Sequence, residues 1–117
     1  MFEVEFFEKE NGDKPARTFI KSLNIKMRAK IERIIAMLEI NGFELREPYS
    51  KHLDDGIFEI RAKVGSDITR VCYFFIIGRK IILTNGFKKK EQKTPKSELD
   101  RAKRYRSEYT SKYKEEL

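Results

Sequence analysis

The spacing of apolar positions changes along the chain, and each change marks an element. Residues 2–8, Phe-Glu-Val-Glu-Phe-Phe-Glu, are aromatic and β-branched with partial alternation, which predicts a first strand. Asn11-Gly12-Asp13 breaks it, and Asp13 is a helix cap with Pro15 in the first turn. Ala16, Phe19, Ile20 and Leu23 follow at helical spacing and predict a short helix. Asn24 caps a second helix, whose stripe is Met27, Ile31, Ile34, Ile35 and Leu38. Asn41-Gly42 supplies a left-handed stop.

A loop through Pro48 and Asp54-Asp55-Gly56 leads to a strand-dense stretch. Residues 57–64 alternate. Phe58, Ile60, Ala62 and Val64 lie on one face, and Glu59, Arg61 and Lys63 on the other. Residues 68–77 form a more buried strand and residues 81–87 another, with short turns at Gly65-Ser66-Asp67 and Gly78-Arg79-Lys80. Such short links favour an antiparallel meander. After the charged run 88–93, Thr94 caps and Pro95 starts a last helix, from about Lys96 to about Lys114, with a narrow stripe of Leu99, Ala102, Tyr105, Tyr109 and Tyr113. The order is βααβββα. It predicts an α+β fold of one domain over 1–117, with a helix hairpin on one face of a small, mostly antiparallel sheet and a C-terminal helix beside it.

Composition narrows the class. With 39% apolar and 38% charged residues, the 117-residue chain is globular with a highly charged surface. Residues 1–60 hold 10 Lys/Arg against 12 Asp/Glu, net −2, and residues 61–117 hold 16 against 7, net +9. A half this basic attracts a polyanion, either nucleic acid or an acidic protein. The single cysteine, Cys72, rules out an internal disulfide and fits a reducing cytoplasm. No apolar run has membrane-span length and the N-terminus lacks signal-peptide character, so a cytoplasmic protein without membrane contact is expected.

The candidate chemistry is cationic. Arg61 stands on the strand face opposite Phe58 and Ile60, and Arg70 lies a hairpin away, between the apolar Ile68 and Cys72. Two guanidiniums on an open sheet face make a phosphate site, because each offers a bidentate fork. Gly86-Phe87-Lys88-Lys89-Lys90 and Lys93 place an aromatic and several ammoniums at a strand end, a pattern that stacks a base and holds its phosphate. A lysine there can protonate a leaving oxygen if neighbouring cations depress its pKa. Glu59 is a possible base or an ion-pair partner. The lone His52 reads as a solvated loop residue, Cys72 as packing, and the helical tyrosines as packing. No spacing of His, Cys or carboxylates suggests a metal, and no fingerprint suggests a cofactor.

Gly56-Ile57-Phe58-Glu59-Ile60-Arg61, Arg70-Val71-Cys72-Tyr73-Phe74, Gly86-Phe87-Lys88-Lys89-Lys90 and Lys93-Thr94-Pro95 before a closing helix occur in that order. Together they resemble the phage-derived HigB-like branch of the RelE/ParE toxin superfamily, over nearly the whole chain. The resemblance implies a RelE-like fold and a type II toxin–antitoxin module. It implies a neutralising antitoxin, often a helix-turn-helix DNA-binding protein, bound in a hetero-oligomer. It implies metal-independent cleavage of messenger RNA in the ribosome, with translation inhibited. Carried onto this sequence, the catalytic residues are Arg61, Arg70, Lys89 and Lys93, and the RNA-binding residues are Lys63, Phe87, Lys88 and Lys90. The superfamily's tyrosine near the final helix has no counterpart between Lys93 and Glu98, and the late histidines of some HigB relatives are absent. The rival expectations are a ParE-like gyrase poison, a non-catalytic nucleic-acid-binding module, and an inactive toxin kept for transcriptional control.

Overall fold

The computed structural model describes residues 1–89 and 93–116, with side chains through Tyr113. The elements are β1 (Glu3–Phe6), α1 (Pro15–Ser22), α2 (Ile25–Asn41), a 3-10 turn (Gly42–Glu44), β2 (Ser50–Asp54), β3 (Ile57–Val64), β4 (Asp67–Ile76), β5 (Lys80–Lys89) and α3 (Lys96–Glu116). The fold is α+β, as the periodicity predicts. The sheet has the order β1-β5-β4-β3-β2. Strands β2 to β5 form the antiparallel meander, and β1 pairs parallel to β5.

Strand β2 is the element that the sequence pattern conceals. Ser-Lys-His-Leu-Asp has neither alternation nor β-branched residues, and it reads as loop. It is a strand because β3 offers its free edge, with Ser50 opposite Ile60 and His52 opposite Phe58. His52 is therefore a strand residue. It stays exposed, and its Nε2 accepts the Gly56 N–H at 3.1 Å.

Local capping is mixed. The Asn24 side chain accepts the Met27 N–H, as predicted. Asp13 does not cap α1, whose N-cap is Lys14 without a side-chain bond. Asp13 instead closes a turn with Asn11, which accepts its N–H at 3.0 Å. Gly42 ends α2 at φ +50° while the Phe2 ring lies 2.0 Å from where a Cβ would sit, so both backbone and space demand glycine.

Two cores flank the sheet. The larger one sets Ala16, Ile20, Met27, Ile31, Ile34 and Leu38 of the hairpin against Ile60, Ala62, Val71, Tyr73, Ile81 and Leu83. The smaller sets Ala102 and Tyr105 of α3 against Phe7, Ile57, Cys72, Phe74, Ile82 and Phe87. The C-terminal helix is thus on the opposite face of the sheet from the hairpin, not beside it. The physical reason lies in β4, which is apolar at both parities and so needs cover on both faces. Burying roughly 25 cal/mol per Å² of apolar surface drives that second layer.

Strand β5 carries an irregularity that decides the site. Val71 pairs with Gly86 and Tyr73 with Leu83, so Thr84 and Asn85 oppose Cys72 alone. One extra residue flips every later side chain to the other face. Phe87 and Lys89 thereby join Arg70 on the α3 face. The bulge is held by side chains: Thr84 donates to the Cys72 carbonyl at 3.2 Å, and Asn85 donates to the carbonyl and carboxylate of Glu98 at 3.2 and 3.1 Å. Gly86 then faces the hairpin, where a Cβ would lie 2.1 Å from the Phe19 ring.

Candidate active site

Helix α3 covers only part of its sheet face. Beyond it the same strands present charge. Glu59 of β3 is the hub, a carboxylate only 1% exposed. Its Oε2 lies 3.3 Å from Arg70 Nε and 3.5 Å from Arg61 Nε. Its Oε1 accepts the Thr94 hydroxyl at 2.6 Å. A buried carboxylate is tolerated only when paired and hydrogen-bonded, and these partners meet that need. Thr94 therefore spends its hydroxyl on the sheet, where the sequence predicts a helix cap.

Arg61 and Arg70 are direct cross-strand partners, and Phe87 is opposite Arg70 on the next strand. The sequence leaves the facing of Arg70 open; the register settles it on the side of Arg61. Arg70 is 6% exposed and donates from Nη1 to the Thr69 carbonyl at 3.2 Å. Its Nε meets Glu59 as an ion pair without hydrogen-bond alignment, leaving that buried N–H unsatisfied. Burial lowers the pKa of Arg70, the Glu59 charge opposes this, and Arg61 adds to the lowering. Arg61 is more open and also donates to Glu47 Oε1 at 3.0 Å.

Lys89 lies on the same face, 7% exposed. Its pKa is lowered from the ordinary 10.5, first by burial and then by the Arg70 charge; Glu59 opposes this, while Arg61 and Lys51 reinforce it. The combination gives an ammonium that parts with its proton more readily than a surface lysine does. A groove of about 330 Å³ opens next to Arg61 and Arg70, also lined by Lys30, Glu47, Tyr49 and Lys63. Lys30 reaches it by donating to the Lys63 carbonyl at 2.6 Å.

The structure thus brings Arg61, Arg70, Lys89 and Lys63 to one face of the sheet. Lys93 is exposed one residue before Thr94. Lys88 is exposed but on the hairpin side of β5, opposite Thr69. Phe87 is 7% exposed and its ring is spent on the α3 core. Lys90 lies outside the described residues. Cys72 is fully buried, and burial followed by the Glu59 and Glu98 charges pushes its thiol up, so it is inert packing. Tyr105 and Tyr109 pack on the sheet, Tyr105 stacking on Phe7 at 4.6 Å, while Tyr113 is 42% exposed.

Sequence reasoning did not single out Glu47, Tyr49 and Lys30, and it gave Thr94 as a helix cap. Glu47 and Tyr49 precede a strand with no pattern of its own, and Lys30 sits on the polar side of α2. Thr94 and Glu59 are 35 residues apart. A weak signal existed in Glu59 itself, an acid on the same strand face as Arg61 and Lys63.

Among the described residues no helix is long and apolar enough to cross a membrane. No curated protein is significantly similar in sequence to this chain. The profile of the phage-derived Gp49-like proteins (DUF891) matches residues 18–107, from α1 to most of α3 and including all of β2 to β5. The chain belongs to this Gp49-like family, a family of RelE/ParE-like toxins of toxin–antitoxin systems, and so to a class partnered by antitoxins.

Proposed function

We propose that this toxin is an endoribonuclease that cuts messenger RNA on the ribosome without a metal ion. The observation carrying the reading is the convergence of Arg61, Arg70 and Lys89 on the part of the α3 face beyond the helix, with both guanidiniums fixed by a buried carboxylate. The chemistry that suits such a site is transfer of a phosphoryl group within the RNA. The 2′-hydroxyl attacks the adjacent phosphorus, the O2′–P bond forms, the P–O5′ bond breaks, and the products are a 2′,3′-cyclic phosphate and a 5′-hydroxyl.

Arg61 and Arg70 stabilise the charge that builds on the phosphoryl oxygens. Held before the reaction begins, such donors are worth roughly 10²–10³ each in rate. Lys89 delivers the proton to the departing O5′. Of the two carboxylates, Glu59 is enclosed and both its oxygens are engaged. Glu47 is 59% exposed on its side chain, lines the groove and touches Arg61, which suits it to take the 2′-hydroxyl proton. Lys63 and Lys93 attract the RNA backbone. The ribosome positions the message.

Induced expression in a bacterium, followed by mapping of messenger RNA 5′ ends, tests this. Wild-type protein is expected to arrest growth and leave new in-frame cuts, and Arg61→Ala/Arg70→Ala to leave neither. Arrest with intact messenger and damaged DNA overturns the reading in favour of a gyrase poison. Equal cutting by the double variant removes the arginines from the chemistry.

A further inference from the structure

We propose that Tyr49 is the base-holding residue of this groove: its ring stacks on a nucleobase of single-stranded RNA whose adjoining phosphate lies on Arg61 and Arg70. The inference rests on the reading that the site takes RNA, and it adds a subsite that the phosphate chemistry alone does not require.

Single-stranded nucleic acid is held by cations along its backbone together with aromatic faces for its bases. Arg61, Arg70, Lys63 and Lys30 supply the cations of the groove. Phe87 follows the sequence logic but is enclosed under α3. Tyr73 and Phe74 are 1% and 2% exposed. Phe43 and Tyr113 are exposed but lie elsewhere, Phe43 against Phe2 and Phe75, and Tyr113 in the separate groove beside β1. Tyr49 is 40% exposed and lines the groove that holds Arg61, Arg70, Lys63 and Lys30.

Its backbone is fixed to the same strand that carries the arginine. The Tyr49 carbonyl accepts the Arg61 N–H at 2.8 Å, and the Tyr49 N–H donates to the Arg46 carbonyl at 3.0 Å. Glu47, two residues earlier, reaches the Arg61 guanidinium. The Tyr49 backbone and the Glu47 carboxylate are thus both tied to Arg61. The groove volume, about 330 Å³, falls at the lower end of small-ligand sites, which run roughly 300–1,000 Å³. That is room for one base and its sugar. Every base has a π-face, so this contact selects single strands without selecting sequence.

The test is binding of a fluorescent single-stranded hexanucleotide, 2′-deoxy throughout so that it is not cut, to the full chain by anisotropy. Tyr49→Ala and Tyr49→Leu are both expected to weaken binding about tenfold or more, and Tyr49→Phe to leave it within about twofold, since stacking needs the ring and not the hydroxyl. A hexamer with a single abasic position, placed in turn along the strand, is expected to lose the same factor at one position on wild type and nothing there on Tyr49→Leu. Wild-type affinity in Tyr49→Leu, with the abasic penalty intact, overturns the stacking role while leaving the phosphate site. Wild-type affinity in Arg61→Ala/Arg70→Ala as well overturns the RNA reading and this inference with it.

Discussion

The α3 face of the sheet consists of two regions built from the same three strands. Under the helix, Ile57 of β3, Cys72 and Phe74 of β4 and Ile82 of β5 are 0–2% exposed and meet Ala102 and Tyr105. Beyond the helix, the same strands carry Glu59 and Arg61, Arg70, and Lys89. Helix α3 has 21 residues, roughly 30 Å at 1.5 Å per residue, and a single helix is only about 10–12 Å wide. It cannot roof a five-stranded sheet. The remainder is closed by its own charged side chains and by Thr94: Glu59, Arg70 and Lys89 are 1%, 6% and 7% exposed and only Arg61 is partly open, so a charge placed there is neither fully solvated nor free to move. The comparison teaches how a small fold makes a rigid cationic site. Cover sets the apolar half, and a buried counter-charge sets the other.

Disturbing each half separately sharpens this division. The largest effect is expected under the helix. Tyr105→Ala removes the stack on Phe7 and should cost about 3–5 kcal/mol in urea unfolding, the range for deleting a buried aromatic. RNA cleavage per folded molecule should hold; a parallel loss of cleavage would mean the two halves are not separable.

Beyond the helix, Glu59→Gln strips the charge that faces Arg61 and Arg70. Breaking a buried pair by removing one partner costs about 3 kcal/mol or more, and the loosened guanidiniums should lower cleavage as well. Stability equal to wild type would show that the Thr94 bond, not the ion pairs, holds the residue at position 59.

At the border sits the bulge. Asn85→Ala removes both bonds to Glu98 and leaves buried groups unmet, a cost of about 1–3 kcal/mol. Because the bulge sets which way Lys89 points, cleavage should fall further than stability alone accounts for. Amide exchange at β5 would reveal a change in pairing with β4.

The smallest expected effect is a shift in pH dependence. Lys89 must be protonated to deliver its proton, so cleavage falls on the alkaline side as it deprotonates. With its pKa lowered in the folded state, that fall comes below the ordinary lysine value, and Lys89→Arg should move it upward while reducing the rate. The same shift bears on stability. Between the folded and the unfolded pKa the unfolded chain binds more protons, so this group's contribution favours folding more as pH rises through that window. An alkaline limb unmoved by Lys89→Arg assigns the proton to another group.

Much of the frame was legible in the sequence. The stripe on α2, the Asn24 cap, the alternation of β3 and the short turns that force a meander are local patterns, and periodicity reports local patterns faithfully. The facing of Arg61 follows from the same alternation. Composition also placed the positive charge in the second half of the chain. What was misread was non-local. Ser50–Asp54 is a strand only because β3 has an edge to fill. Thr94 points at Glu59 and not at its own helix. Phe87 carries the signature of a stacking ring and is a core residue, while Tyr49, in a stretch read as loop, is the exposed aromatic at the groove.

The division has a physical cause. The sequence by itself determined which segments are helix or strand and which strand face is apolar, because those depend on residues within a few positions of one another. Only the tertiary structure decided which face α3 covers, how far its cover extends, and on which side of β5 Lys89 emerges. The last depends on one extra residue at Thr84–Asn85, held by Glu98 of the following helix, 13 residues on. A parity change of that kind leaves the hydrophobic pattern almost untouched, yet it moves a cation from one face of the sheet to the other.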